Sequence, residues 1–162
     1  MANWAQNSVT FQGTKSKIKD INTLFEKMIK DGKQTGEGQL PLFVRDDDGY
    51  FFNISIDKKE DESIELNYET RWAPNVEVLI EIANHFNLDF EVSYHELCMS
   101  IFGKATYIKG NSKANIIELN NDDFDKFEFL EDSGNCLYNN KEWEYYEMLE
   151  FLLEEKSGNV TN

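Results

Sequence analysis

Between Ser63 and His95 the hydrophobic period runs two, then three to four, then two again, with almost no connecting residues, and this restricts the chain to a strand-helix-strand unit. From 63 to 72 the even positions are Ile64, Leu66, Tyr68, Thr70 and Trp72, and the odd ones are Ser63, Glu65, Asn67, Glu69 and Arg71. A strand with one dry face satisfies that alternation, and it assigns Trp72 to the dry side. Ala73-Pro74 ends the strand, because proline has no N–H for the ladder. The same proline suits the first turn of a helix, where the missing N–H has no partner to lose. Val76, Leu79, Ile80, Ala83 and Phe86 then form one apolar stripe, and Asn87 stands where a left-handed cap is expected. From Leu88 the period returns to two, with Leu88, Phe90, Val92 and Tyr94 on one side and Asp89, Glu91, Ser93 and His95 on the other.

The flanking chain extends the pattern. Val9 and Phe11 alternate with Ser8 and Thr10 in a strand ended by Gly13. Thr14 or Ser16 then caps a helix with Ile18, Ile21, Leu24, Phe25, Met28 and Ile29 on its apolar side and Gly32 as its stop. Residues 32–49 have the length and composition of a mobile or partner-contacting loop. Phe52, Ile54 and Ile56, alternating with Phe51, Asn53 and Ser55, mark the next strand, and the charged turn at 57–62 joins it to the strand at Ser63 as a hairpin. Numbered as they come, the elements run β1-α1-β2-β3-α2-β4, the split βαβ pattern of a ferredoxin-like α+β fold. Beyond them, 100–109 and 115–119 read as an extra hairpin turned at Gly110-Asn111-Ser112. Phe124, Phe127 and Leu130 sit at helical spacing in an acidic segment. A last helix is expected from about Asn140 to Glu155, with Trp143, Tyr146, Leu149, Leu152 and Leu153 on one face, before a frayed end at 157–162. The expectation is a ferredoxin-like sandwich with an added hairpin over 1–119 and an acidic C-terminal helical extension over 120–162, packed on the same domain.

Three short pieces resemble a known family. Met1-Ala2-Asn3-Trp4 followed by Asn7 resembles an M-x-N-W-x-x-N signature, and Thr70-Arg71-Trp72-Ala73-Pro74 resembles a T-x-W-x-P segment. Tyr94-His95-Glu96 with Met99 and Gly103 resembles a Y-x-E…M…G segment. Together they are similar to the Api-like proteins of phages and plasmids, which carry a ferredoxin-like domain. The chain departs from that family's pattern at Ala5, Asn75, Leu97 and Cys98, where members commonly carry Cys, Pro and a Pro-Gly pair. The resemblance covers residues 1–110 and implies a ferredoxin-like fold and a mobile-element origin. It implies no reaction and no cofactor, since the fold name carries no iron–sulfur cluster, and Cys98 and Cys136 do not amount to four thiolate ligands.

Charge is the extreme property. Asp and Glu number 31 against 16 Lys and Arg, a formal net charge of −15. Such a field repels nucleic-acid backbones and anionic lipid while attracting basic proteins. The excess is uneven, because residues 118–156 hold 13 of the acids with 3 lysines. Two cysteines make neither a disulfide framework nor a zinc site. The amino terminus lacks the basic and apolar regions of a signal peptide, and no 18 apolar residues run together. The expectation is a soluble cytoplasmic protein with no cofactor or metal, no direct nucleic-acid contact and no membrane contact.

Candidate chemistry is sparse. His85 lies near the end of the expected α2, where an imidazole can meet the last carbonyls, and His95 is flanked by Tyr94 and Glu96 in what would be a proton relay. No nucleophile with motif context accompanies it, and a solvated histidine is the simpler reading. Asp46-Asp47-Asp48-Gly49 lacks the alternate-position ligands of a calcium loop and reads as a turn. Gly36-Glu37-Gly38 has no following G-K-[ST] and reads as a flexible connection. Trp72 and Trp143 read as core, whereas Trp4 stands outside the periodic pattern and is free to touch something else. Cys98 and Cys136 read as inert thiols.

The acidic tail carries the one functional hint with a physical mechanism. Its carboxylates can imitate phosphate spacing and meet a basic nucleic-acid-handling or host-defence protein, against the plainer reading of a solvated helix face. The residues expected to face such a partner are Asp122, Asp123, Asp125, Glu128, Glu131, Asp132, Glu142, Glu144, Glu147 and Glu150. The alternatives are a small ligand-binding or enzymatic domain whose mouth combines the 32–49 loop, Trp4 and Tyr94-His95-Glu96, with Trp72 as a further motif residue, and a structural protein that oligomerises through a sheet edge.

Overall fold

The computed structural model describes residues 3–45 and 48–158. Met1-Ala2 of the opening motif, Asp46-Asp47 of the acidic turn and residues 159–162 of the expected frayed end lie outside the described residues. The elements are β1 (Trp4–Gln12), α1 (Lys15–Thr35), β2 (Phe52–Lys59), β3 (Ser63–Arg71), α2 (Val76–Phe86) and β4 (Asp89–Glu96). A 3-10 turn (Leu97–Met99), β5 (Ile101–Tyr107), β6 (Asn115–Glu118), α3 (Asn121–Phe124), β7 (Glu128–Leu130), β8 (Asn135–Tyr138), β9 (Lys141–Trp143) and α4 (Tyr145–Ser157) follow. Among the described residues no helix is long and apolar enough to cross a membrane.

Six strands form one antiparallel sheet in the order β2-β3-β1-β4-β5-β6. Its centre is β1, which pairs along its whole length with β3, from Trp4↔Arg71 to Gln12↔Ser63, and with β4 from Gln6↔His95 to Gln12↔Asp89. The first strand is therefore longer than the Val9 and Phe11 alternation suggests. Polar side chains at Gln6 and Asn7 hide a strand whose length is set by its two neighbours. Val9, Phe11, Ile64, Leu66, Phe90 and Val92 point to one face, where Ile18, Ile21, Phe25 and Met28 of α1 and Leu79 and Ala83 of α2 close over them in a single core. Rings carry much of it. Phe25 lies 5.7 Å from Phe51 and Phe11 lies 5.9 Å from Phe90, and each fully buried phenylalanine contributes about 1.5–3 kcal/mol.

Four expectations are overturned, each for a local reason. Asn53 takes φ +48° and the register slips between Phe52 and Ser55, so a bulge turns the strand over. Phe51, assigned to the polar side, is fully buried, and Phe52 lies on the far face against Trp4. Trp72 is 52% exposed instead of core, because β3 stops at Arg71 and Trp72 adopts φ +69°, which breaks the alternation. The 32–49 stretch is not a free loop, since Leu40, Phe43 and Val44 pack on the core. Phe43 stacks on His85 at 3.8 Å, and the backbone N–H of Arg45 donates to Glu81. Those contacts cover a side of α2 that the expected stripe leaves bare, where Val78 and Ile82 are also buried. His85 thus meets a ring rather than terminal carbonyls.

The C-terminal extension is not purely helical. After the one-turn α3, residues 128–143 form a three-stranded antiparallel sheet, β7-β8-β9, and α4 begins only at Tyr145. Asn139 and Asn140 have φ +50° and +60°, the left-handed pair that a two-residue hairpin turn needs, and they join Tyr138 to Lys141. Met148, Leu149, Leu152 and Leu153 of α4 form a second core with Cys136, Leu119 and Phe102. Phe102 is the Cα partner of His95, one position out of phase with the Tyr94↔Gly103 pair that faces α2, so this unit covers the opposite face of the sheet. Trp143 lies in β9 and packs on Phe151 at 5.1 Å, and Tyr146, expected on the apolar face of the helix, is exposed. At the sheet edges, β2 carries the bulge and ends in Lys58 and Lys59, and β6 has four residues, features that discourage edge-to-edge pairing.

Gly103 offers a test of the register that joins the sheet to the second core. A Cβ there would stand 2.9 Å from the Tyr94 ring and 2.9 Å from the carbonyl of Ile117. Gly103→Ala is expected to cost about 1–3 kcal/mol in urea unfolding, whereas the same change at Gly110, which has open space around it, costs only its left-handed backbone strain of about 1 kcal/mol.

Candidate functional site

The acidic unit is organised from inside by one carboxylate. Asn120 and Asp123 cap each other across the first turn of α3, with Asn120 N–H donating to Asp123 Oδ2 at 3.0 Å and Asp123 N–H donating to Asn120 Oδ1 at 3.1 Å. Asp123 also accepts from Lys126 Nζ at 2.8 Å and from Lys156 Nζ at 2.6 Å, which ties α3 to the last turn of α4. Burial by itself would raise the pKa of Asp123, but the hydrogen bonds from the two ammonium groups and the Asn120 backbone prevail and bring it down to about 2. Expected to face a partner, Asp123 is instead buried, and its bonds to two ammonium groups and the Asn120 backbone offset the cost of taking its charge out of water.

The other nine acids expected at the partner surface, Asp122, Asp125, Glu128, Glu131, Asp132, Glu142, Glu144, Glu147 and Glu150, are exposed. Glu142 accepts from the Asn135 side chain at 2.8 Å, and among the described residues none of the nine makes an ion pair. The lysines of this unit are occupied elsewhere. Lys126 and Lys156 turn inward to Asp123, and Lys141 lies over the Trp143 ring at 4.0 Å. Between the carboxylates runs a line of rings that sequence reading missed. Phe129 lies 5.5 Å from Tyr145, Tyr145 lies 6.1 Å from Tyr146, and Tyr146 lies 5.5 Å from His95 on the sheet. Phe129 and Tyr146 are about half exposed. The only signal in the chain was their placement beside Glu128 and Glu147, at positions that the expected helices treated as core or as filler.

Residues 94–96 split by strand alternation. Tyr94 and Glu96 are buried on the α1/α2 side, and His95 points to the opposite face, so no Tyr-His-Glu relay exists. Tyr94 donates its hydroxyl to Glu118 at 2.8 Å, and burial, then that carboxylate, push its pKa well up. Glu96 accepts from Met99 N–H at 2.5 Å and caps the 3-10 turn. Burial lowers the pKa of His95, with the Glu96 charge acting weakly against it. Trp4 is on the far face, edge-on to Phe52 at 4.9 Å, with the Arg71 guanidinium 4.8 Å from Phe52 and 5.6 Å from Trp4. Glu69 beside them is held by Gln6 at 2.7 Å and by Asn53. Trp4 and His95 thus share a face with each other and not with Tyr94 or Glu96, and the 32–49 segment packs on α2. Of the mouth that was to combine them, only Tyr94 and the end of the 32–49 segment come together, with Asp48 and Gly49 lining one groove with Tyr94, while Trp4, His95 and Glu96 lie outside it.

Beneath Tyr94 lies a buried polar knot with a structural role. Asn7 donates to Ala5 O and Thr70 Oγ1, both at 3.0 Å, and Thr70 donates to Ala73 O at 2.7 Å, closing the turn into α2. Tyr68 donates to Asn75 Oδ1 and Asn75 donates to Gly49 O, both at 2.8 Å. Gly49, at φ +75°, makes the turn expected after the acidic run, with its N–H donating to Asp48. Cys136 is buried and its thiol pKa is raised by that burial, and Cys98 is exposed.

A family model described as a ferredoxin-like domain in Api92-like protein matches residues 51–145, from the residue before β2 to the first residue of α4. No curated protein and no solved structure matches the chain. The matched stretch leaves out β1, although β1 is the strand that holds β3 and β4 in one sheet.

The Asp123 knot generates a stability test with a definite sign. Its folded pKa lies below the ordinary 3.8, so its contribution is complete at neutral pH and is lost as the pH falls from 3.8 to about 2. Asp123→Asn is expected to lower the unfolding free energy by about 2 kcal/mol at pH 7, and urea melts repeated near pH 3 should show the gap between the two proteins narrowing.

Proposed function

The chain belongs to the Api92-like family and carries its ferredoxin-like domain, and on that premise we propose that it is a non-enzymatic accessory protein of a phage or other mobile element. In this reading it engages a basic partner, a nucleic-acid-handling or host-defence protein, through the carboxylates of its C-terminal unit. The observation that carries the reading is the inward turn of Lys126 and Lys156 onto Asp123. The ammonium groups of those lysines are engaged by Asp123, although their side chains stay partly exposed, and among the described residues the nine exposed carboxylates make no ion pair of their own. A field of that kind accelerates encounter with a cationic surface and rejects polyanions. The ferredoxin-like sheet serves as the scaffold, and the second core joins the acidic unit to it through Phe102 and Leu119.

The test is capture from host lysate at low and high salt. A basic protein should be retained at low ionic strength and released as screening grows, because exposed charges interact over about 10 Å at 0.1 M salt and over about 3 Å at 1 M. Reversing Glu144, Glu147 and Glu150 to lysine should abolish retention while leaving the Asp123 knot and the fold intact. A reversed protein that keeps the same partner at the same affinity sinks the reading.

A further inference from the structure

Where α4 crosses the open face of the sheet it leaves a groove of about 440 Å³. One wall is a row on α4 with a spacing of one helical turn, Tyr146, Glu150 and Glu154. The floor is His95 and Phe102, and Lys104 stands on the far side. The Tyr146 and His95 rings are 5.5 Å apart and nearly perpendicular, at 77°. Glu150 and Glu154 are exposed, and although Lys104 lines the same groove, among the described residues neither carboxylate pairs with it or with any other cation.

Resting on the acidic-docking reading above, we propose that this groove seats an arginine side chain of the basic partner, its guanidinium flat against Tyr146 or His95 and forked onto Glu150 or Glu154. Two rings in edge-to-face contact, each able to offer a face to the groove, and a carboxylate row suit a planar, delocalised cation, which stacks and makes paired hydrogen bonds at once. An ammonium is a compact, strongly hydrated point charge and uses only the carboxylates. His95 does not oppose the cation at neutral pH, since burial favours its uncharged form. Lys104 is the groove's own competitor. It repels an incoming guanidinium and marks the site as one whose affinity rises when that charge is removed.

Titration calorimetry of the full chain with nona-arginine and nona-lysine peptides at low salt tests this. Nona-arginine should bind more tightly than nona-lysine. Tyr146→Ala, and Glu150→Gln together with Glu154→Gln, should each weaken nona-arginine by about threefold to tenfold. Lys104→Met should tighten it, and Asp20→Asn with Glu26→Gln, exposed on α1 and away from the acidic unit, should change it by less than about twofold. Tyr146→Phe, which keeps the ring, should bind as the parent does. Circular dichroism melts identify any variant that fails to fold. If both double variants weaken binding equally while Tyr146→Ala and Lys104→Met change nothing, the groove is not a seat and only diffuse attraction remains. If neither peptide binds the parent protein but lysate capture still yields a basic partner, the groove proposal falls and the wider reading stands. If lysate capture fails as well, both fall.

Discussion

The fold depends on β1 being paired on both of its edges. A strand in the middle of a sheet leaves no backbone N–H or C=O for water, and here that condition brings together two strands separated by a helix in sequence, β3 and β4. Once they are fixed on either side of it, α1 and α2 have one face on which to bury their apolar stripes. The twist and polarity of the sheet then leave the other face to be filled or wetted. Asn7, Tyr68, Thr70 and Asn75 secure the end of this arrangement with hydrogen bonds that are buried or part-buried and so are weakened less by water.

The second face is where the protein differs from a plain two-layer sandwich. The β5-β6 hairpin continues the sheet, and Phe102 on its far side becomes the anchor for a small unit with a core of its own. Leucines of α4 and the Cys136 side chain close over that anchor. The unit is held shut by Asp123, a charge surrounded by two lysines at the meeting of two helices. The two lysines whose ammonium groups hold Asp123 stay partly exposed, and among the described residues they make no ion pair with the acids outside.

That arrangement gives the functional reading its physical content. An acidic surface that carries exposed rings is suited to recognition, and the rings from Phe129 to His95 supply contact area of the sort that concentrates binding energy. Carboxylates around such rings steer and select more than they bind, so the aromatic line and the charge have separate duties. The family match covers the strands that build both surfaces and none of β1, the strand on which their geometry rests.

Local pattern determined a good deal. The period changes from Ser63 to His95, the proline at the helix start and the cap at Asn87 place β3, α2 and β4 within a residue or two of where they stand, because each side chain there obeys the same face rule as its neighbours. The uneven charge was also readable. Asp123 is marked locally by its cap with Asn120 and its pair with Lys126, but the contact that ties it to α4 comes from Lys156, thirty-three residues away, and no local rule sees that distance. Only the tertiary structure decided that contact. It likewise decided that Phe51 and Phe52 exchange faces, that Trp72 leaves the core and that 128–143 becomes a sheet. In each case one or two residues in the left-handed region, Asn53, Trp72 or the pair Asn139 and Asn140, redirect the chain, and neighbours in space rather than in sequence make that conformation affordable.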